Sequence, residues 1–441
     1  MQPSSRVAII GGGLAGLAAA RTLQEKGVDY VLFEGTNLLG GRVRNLPYRS
    51  GYIQLGAQFI NGKKNLMYEI ATALKLPIQD LKEFRTFSNK MSAKFDLGEA
   101  NLATQTLAQV FTPAYEKWLQ QNETRLSKRV VFDRLAQLYA TYYETEWSGP
   151  FDRIAIQNFA EWDDYGDGTE YALGPLGFKA ILDNIKTNVN EVNVRYNSTV
   201  QKIDYSGAKA RLTLSTAPID QSLLFDYVIV TCSLGHLKRF ASSLFTPLLP
   251  SMKQEAIQKL GMGNMMKVFL EYEKDWWKED SILVITDSRN TDTRSVTKNT
   301  FRVFTPLEWE RNMLICWLAG DGPSLISNLD DATLAQMMTE RLREGLNNQT
   351  IPLPKSVIRM NWSSNPLFLG SYSFITPEAA TLGDGDPYSI MAEPVRNAGT
   401  GKAQILFAGE ATHSNLYQTT SGAYLSGQRE AKRILKLERI K

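Results

Sequence analysis

Residues 7–34 read VAIIGGGLAGLAAARTLQEKGVDYVLFE, and the fold turns on this stretch. Val7-Ala-Ile-Ile10 is a short continuous apolar run, the pattern of a strand buried on both faces. Gly11, Gly13 and Gly16 follow in G-x-G-x-x-G spacing. Leu14, Leu17, Ala18 and Leu23 then recur at helical intervals, and Gly27 supplies a stop. Tyr30-Val-Leu-Phe33 reads as a second strand, closed by Glu34. Each glycine has a physical reason. Gly11 allows a tight turn, Gly13 lets a pyrophosphate approach the backbone, and Gly16 lets helix and strand pack closely. Glu34 lies roughly 20 residues beyond them, where a carboxylate accepts from an adenosine ribose hydroxyl. Strand, turn, helix, strand and acid together predict a Rossmann-like α/β unit that binds a dinucleotide. Glu34 would repel a 2′-phosphate, which argues against NADP and leaves NAD and FAD open.

Further along the chain, glycine-rich turns recur where a ligand can meet backbone. Gly40-Gly41-Arg42 offers close approach plus a forked cation for phosphate. Leu55-Gly-Ala-Gln-Phe-Ile-Asn-Gly62 is a glycine-flanked apolar segment. Ile405-Leu-Phe-Ala-Gly-Glu410 is a strand ending in Gly-Glu, and Thr419-Thr-Ser-Gly-Ala-Tyr424 leads into a helix predicted over Leu425 to Leu437.

Composition bounds the rest. A chain of 441 residues, 43% hydrophobic and 22% charged, is an ordinary globular protein. At roughly 100–200 residues per domain it holds two or three domains. Lys+Arg 49 against Asp+Glu 46 gives +3, which is no footprint for nucleic acid or an acidic membrane. Two cysteines, Cys232 and Cys316, exclude a disulfide framework and a Cys-based zinc site. Two histidines, His236 and His413, disfavour a His-rich metal site, so no metal is expected and a cofactor carries the chemistry. Val7 to Ala20 mimics a signal peptide, but the spaced glycines and the amphipathic continuation through Arg21, Leu23 and Lys26 argue against one. No apolar run reaches the roughly 18 residues of a membrane helix. The C-terminus, Leu437-Glu-Arg-Ile-Lys441, is not a peroxisomal tripeptide, and a cytoplasmic location is expected unless a signal peptide has been removed.

At these residues the chain resembles the FAD-dependent amine oxidase family, above all its polyamine oxidase branch, with monoamine oxidases and histone lysine demethylases more distant. Nine segments carry the resemblance in order: GGGLAGLAAA, Glu34 followed by GGR, LGAQFING, Val228-Ile-Val-Thr-Cys-Ser-Leu-Gly-His-Leu-Lys238, Met265-Met-Lys-Val-Phe-Leu-Glu-Tyr272, Trp362, Gly370-Ser-Tyr-Ser373, FAGEATH and SGAYLSGQREAKRI. The resemblance implies noncovalent FAD. Gly11, Gly13, Gly16, Glu34, Gly41 and Arg42 would hold the ADP half and pyrophosphate, with Val200 on the adenine side. Gly56, Ala57, Trp362, Gly409, Glu410, Thr419 and Thr420 would line the rest of the cofactor. Ser371 stands at the position of the flavin-anchoring cysteine of monoamine oxidases. The implied reaction is hydride transfer from a neutral amine to flavin N5, hydrolysis of the imine to an aldehyde and a shorter amine, and reoxidation by O2 to hydrogen peroxide.

Lys267 is the catalytic candidate. By strand alternation alone a lysine between Met266 and Val268 points to solvent; the resemblance implies instead that it is buried and holds a water against the flavin. Tyr372 and Tyr424 would flank the substrate, with cation–π attraction as the warrant, and Asn61 would face the amine. Asn61 stands where polyamine oxidases carry a histidine or acid, Phe59 replaces a tryptophan, Ser421 a histidine, Leu38 an arginine and Ser233 a proline. These departures put spermine and its acetylated form in doubt as favoured substrates.

His413 reads as a packing residue, His236 as part of a loop, and Trp276-Trp277 as core or rim. The acid-rich loop Glu161-Trp-Asp-Asp-Tyr-Gly-Asp-Gly168 is a solvated turn or a patch for cations. The expected FAD-binding pieces are 1–75, 190–250 and 395–441, interleaved with an α+β substrate domain of 76–189 and 251–394, in a monomer or homodimer. Helices are predicted over Leu102–Leu119 and Asp331–Leu346, and strands over Phe269–Tyr272 and Met313–Trp317. The function this points to is oxidation of a polyamine. Two rivals stay open: another flavin oxidase on the same scaffold, such as an L-amino-acid oxidase or a desaturase, and a degenerate homologue that binds FAD without turnover.

Overall fold

The computed structural model describes residues 5–81, 104–163, 169–215, 223–278, 283–285 and 293–440. Along the chain, the elements that position the site are β1 (Val7–Ile10), α1 (Leu14–Glu25), β2 (Tyr30–Phe33), α2 (Leu107–Gln120), α3 (Arg129–Trp147), α4 (Gly177–Lys186), β3 (Val194–Arg195), β4 (Tyr227–Val230), α5 (Leu234–Leu244), β5 (Met266–Glu271), β6 (Leu283–Val284), β7 (Val303–Leu307), β8 (Glu310–Leu318), α6 (Asp331–Gly345), β9 (Ser356–Arg359), β10 (Val395–Arg396), β11 (Ala403–Phe407) and α7 (Thr420–Leu437).

A six-stranded sheet has the order β10-β11-β4-β1-β2-β3. Every pairing in it is parallel except the edge pair β10–β11. β1, β2, β4 and β11 are buried along their whole length, because apolar clusters cover both faces. This is why Val7–Ile10 reads as an unbroken apolar run. α1 packs on this sheet and on α7. The contact is close because a Cβ on Gly16 would lie 1.9 Å from the Gly11 carbonyl oxygen. β1 has β2 on one side and β4 on the other, so its carboxyl end is the switch point where open α/β sheets bind ligands.

A second, five-stranded antiparallel sheet has the order β6-β7-β8-β5-β9. β5 lies inside it, between β8 and β9. Met266, Val268 and Leu270 face one cluster with Leu334, Met337 and Leu342 of α6, while Phe269 faces another with Ile53, Ile315 and Trp317. Both faces of β5 are therefore covered, and the alternation that would send Lys267 to solvent fails: Lys267 is only 4% exposed. α2 and α6 fall within or beside their predicted spans, and the strands expected at 269–272 and 313–317 are the cores of β5 and β8.

Two boundaries differ from expectation. α7 begins at Thr420 rather than Leu425, because the Thr419 side chain caps it by accepting from Gly422 N. His236 lies inside α5 rather than in a loop: Ser233 Oγ accepts from His236 N and starts the helix there. No described helix is long and apolar enough to cross a membrane, and the described residues hold no group of three His, Cys, Asp or Glu able to bind a metal.

Candidate active site

One cavity of about 1000 Å³ opens at the carboxyl ends of β1, β2 and β4 and runs to the face of β5. Its first half is made of backbone. Gly11, Gly13, Gly41, Gly56, Ala57 and Gly409 line it. α1 enters with Gly13 at its N-cap, no side chain capping it and no acid in its first turn. Its positive end, with four N–H groups that have no intrahelical partner, therefore faces the cavity. Gly56 is fixed by crowding, since a Cβ there would lie 1.7 Å from the Arg42 carbonyl oxygen. Gly16 does not line the cavity; its part is the packing of α1 on β1.

The acids of this half are largely satisfied by protein donors. Glu34 Oε2 accepts from Gly12 N at 2.8 Å, and Oε1 accepts from Thr36 N and Thr36 Oγ1, each at 2.8 Å. A carboxylate has about four acceptor positions, so roughly one remains for a hydroxyl donor. Glu410, 4% exposed, accepts from Arg42 Nη1 at 2.9 Å, Ser373 Oγ at 2.6 Å and Gln418 N at 3.0 Å. Arg42 Nη1 also donates to the Ser371 carbonyl at 2.7 Å, while its Nε and Nη2 keep no protein acceptor among the described residues. Val200, Trp362, Thr419 and Thr420 line the same half, Trp362 edge-on to Phe368. Gln418 was missed by sequence reasoning. It lines the cavity in a left-handed backbone conformation (φ 68°), and its Nε2 is buried without an acceptor. An uncapped helix end, spare guanidinium donors and an orphaned amide all suit an anionic, acceptor-rich ligand such as FAD.

The second half carries side-chain chemistry. Lys267 Nζ donates to the Gly56 carbonyl at 2.7 Å and to Gln58 Oε1 at 2.8 Å. It sits 5.6 Å from the Trp317 ring centroid and 5.8 Å from that of Phe269. Burial lowers its pKa to about 7, with Glu308 opposing the shift. Gln58 Nε2 in turn donates to both Glu308 oxygens, at 3.2 and 3.4 Å. Tyr372 lines the cavity and donates to the Thr145 carbonyl at 2.7 Å; burial and the nearby Glu146 and Glu170 raise its pKa. Asn61 lines the cavity in antiparallel register with Glu170. Phe59 stacks on Trp317 at 5.8 Å, and Trp277 reaches the wall while Trp276 packs on Tyr272.

Glu146, Glu170 and Glu308 all line this half. Burial raises the pKa of each. Repulsion continues the trend, from Glu170 on Glu146 and from Glu308 on Glu170. Sequence reasoning missed these acids. Glu146 ends a long helix, Glu308 sits in a turn between two strands, and Glu170 joins the site only through its register with Asn61.

One substrate candidate is corrected. Tyr424 is buried but outside the cavity, in the core between α1 and α7, with the Arg21 and Glu25 charges nearby. The reason is helical period: Ala423 faces the cavity, and the next residue is turned by about 100° toward α1. His413 is also outside it, accepting from Leu416 N at Nδ1. His236 does line the cavity, with Nδ1 at 2.8 Å from the Pro366 carbonyl. Cys316 is core and Cys232 lines the cavity, both as free thiols. Most of the acid-rich loop 161–168 lies outside the described residues.

Comparison with known proteins fits this geometry. The family described as flavin containing amine oxidoreductase matches residues 14–112 and 111–435. The human peroxisomal N(1)-acetyl-spermine/spermidine oxidase is 29% identical over 98% of this chain and 95% of its own. The probable polyamine oxidase 5 of Arabidopsis thaliana is 26% identical over 99% of both chains. Human lysine-specific histone demethylase 2 is 27% identical over 97% of this chain and 53% of its own. The chain belongs to the flavin containing amine oxidoreductase family and is an FAD-dependent amine oxidase.

Proposed function

We propose that the substrate is a polyamine, carrying at least one ammonium besides the amine that is oxidised. The observation that carries this is the trio Glu146, Glu170 and Glu308 in the Lys267 half of the cavity. Buried carboxyls that repel one another call for a cation, and a polyamine brings one when it enters. Aromatic walls from Phe59, Trp317 and Tyr372 suit the methylene chain and the charge it carries. Asn61 cannot neutralise an amine, and Glu170 across the strand supplies the charge it lacks.

When bound, FAD supplies the acceptor for the hydride of the amine's α C–H, with dioxygen as final oxidant. The chain's own residues position and protect. Gly11, Gly13, Glu34, Gly41, Arg42 and Val200 hold the ADP half; Gly56, Ala57, Trp362, Gly409, Glu410, Thr419 and Thr420 hold the remainder, noncovalently, with Ser371 where a covalent bond would need a cysteine. These residues come from an FAD unit built of pieces 1–75, 190–250 and 395–441, with the rest of the chain forming the substrate unit. Lys267 is the catalytic residue. Held near neutrality, it disfavours a second cation beside it and so keeps the reacting nitrogen uncharged. The far ammonium meanwhile pairs with a carboxylate. The test is release of bound flavin on denaturation, followed by peroxide formation from spermine, spermidine, their N-acetyl forms, monoamines and L-amino acids. Polyamines should give the highest kcat/KM. Preference for a monoamine or an amino acid would sink the reading.

A further inference from the structure

We propose that Glu308, acting through Gln58, sets the orientation and protonation of Lys267, making Glu308 and Gln58 positioning residues of this oxidase. The inference rests on the reading of Lys267 as the catalytic residue.

The geometry is a three-link chain. Glu308 accepts from Gln58 Nε2 through both oxygens, so the amide must present N–H to Glu308 and its carbonyl oxygen to Lys267. A glutamine whose two ends are chemically distinct is thereby fixed in one flip. Lys267 then faces two acceptors, the Gly56 carbonyl and Gln58 Oε1. A neutral amine has two N–H bonds and one lone pair. Both N–H bonds are used by these acceptors, and the lone pair is left as the one position free to meet a donor in the cavity. A flipped Gln58 would turn N–H against N–H and release that arrangement.

The surroundings leave Glu308 as the charge that matters. From β8 the partner in register with Lys267 is Trp317, whose indole N–H is spent on Thr305 of β7. The neighbouring Cys316 points into the opposite core. From β9, Arg359 is turned away to Asp331 and the carbonyls of Ile326 and Leu329. On β5 itself, Glu271 is occupied by Tyr48, Arg49 and Ser356. The loop carrying Gly56 and Gln58 brings no titratable group to Lys267. Glu146 and Glu170 share this half of the cavity, but Glu308 is the acid joined to Lys267 through Gln58, and its charge favours the protonated form.

The sign of each substitution follows. Glu308→Gln removes the negative charge, so Lys267 loses its proton at lower pH. Its amide can also offer either end to Gln58, so the fixed flip is lost. Glu308→Asp keeps the charge. Gln58→Glu brings a negative charge into direct contact and moves the deprotonation up. A purely structural role for Glu308 would lower rates at every pH alike and move no midpoint.

The experiment uses the FAD-loaded full chain, with lysine side chains labelled for NMR. Lys267→Met assigns the Lys267 signal by its loss. The expected results are a Lys267 midpoint lowered by on the order of one pH unit in Glu308→Gln, raised in Gln58→Glu, and near wild type in Glu308→Asp. The acid limb of anaerobic flavin reduction by spermine should move in parallel, and its plateau should fall several-fold in Glu308→Gln. An unmoved Lys267 midpoint in both Glu308→Gln and Gln58→Glu overturns the proposal while leaving Lys267 as catalyst. A Lys267→Met enzyme with wild-type flavin reduction instead removes the reading beneath it.

Discussion

At the glycine end of the cavity the acids are met by protein donors, whereas at the Lys267 end buried acids raise one another's pKa. Glu34 and Glu410 each accept three hydrogen bonds or more from the protein, and Arg42 neutralises Glu410 directly. Glu146 and Glu170 push against each other, and Glu308 accepts from the Gln58 amide. In the first arrangement the acids are already satisfied and the donors left over await an anionic, acceptor-rich cofactor that stays. The second is completed by a visiting cation and suits a substrate that comes and goes.

The largest effect should come from the pivot between the two halves. Lys267→Met should keep flavin yet slow turnover by about 10²-fold or more, the range for loss of a positioned acid–base group. Stopped-flow flavin traces would read both half-reactions. In the first half, Glu410→Ala removes the partner of a buried donor set. It should cost about 3 kcal/mol of stability and weaken flavin retention, measured by thermal unfolding with flavin fluorescence.

In the second half, Glu146→Gln and Glu170→Gln should leave folding and flavin intact. Each should raise KM for spermine by about tenfold, the worth of one charged hydrogen bond, and barely change a monoamine. Their raised pKa values also set a sign with pH. Below those values the carboxyls are protonated and attract no cation, so wild-type kcat/KM for polyamines should fall toward acid. Part of that fall should vanish in the double variant. An equal KM change for monoamines would erase the contrast between the two halves. The smallest effect belongs to Tyr424→Phe. It trims a buried hydroxyl outside the cavity, and steady-state kinetics should stay within about twofold of wild type.

The same contrast explains what the sequence made legible. Part of the cofactor half is local: Gly11 to Gly16, Glu34 and Arg42 are close in the chain and their spacing states their geometry, whereas Val200, Trp362, Glu410 and Thr419 come from distant segments and were read from the family resemblance. The six-stranded sheet was readable for the same reason, since buried parallel strands announce themselves as apolar runs. The substrate half is assembled from distant segments. Glu170 reaches Asn61 only by strand register, and Gln58 reaches Glu308 across 250 residues. Alternation alone points Lys267 to solvent, because no sequence pattern reports that both faces of β5 are covered; its burial was read from the family resemblance. Tyr424 was misplaced because a family position fixes a residue on a helix but not the direction its side chain takes.

The most direct measurement is anaerobic bleaching of the purified protein's flavin by spermine and by a monoamine of similar length, in wild type and in a Glu146→Gln, Glu170→Gln double variant. The wild type should be bleached faster by spermine, and the double variant should lose that preference while still bleaching with both. A flavin that no amine bleaches, or a spermine preference untouched by removal of both carboxylates, would contradict the account.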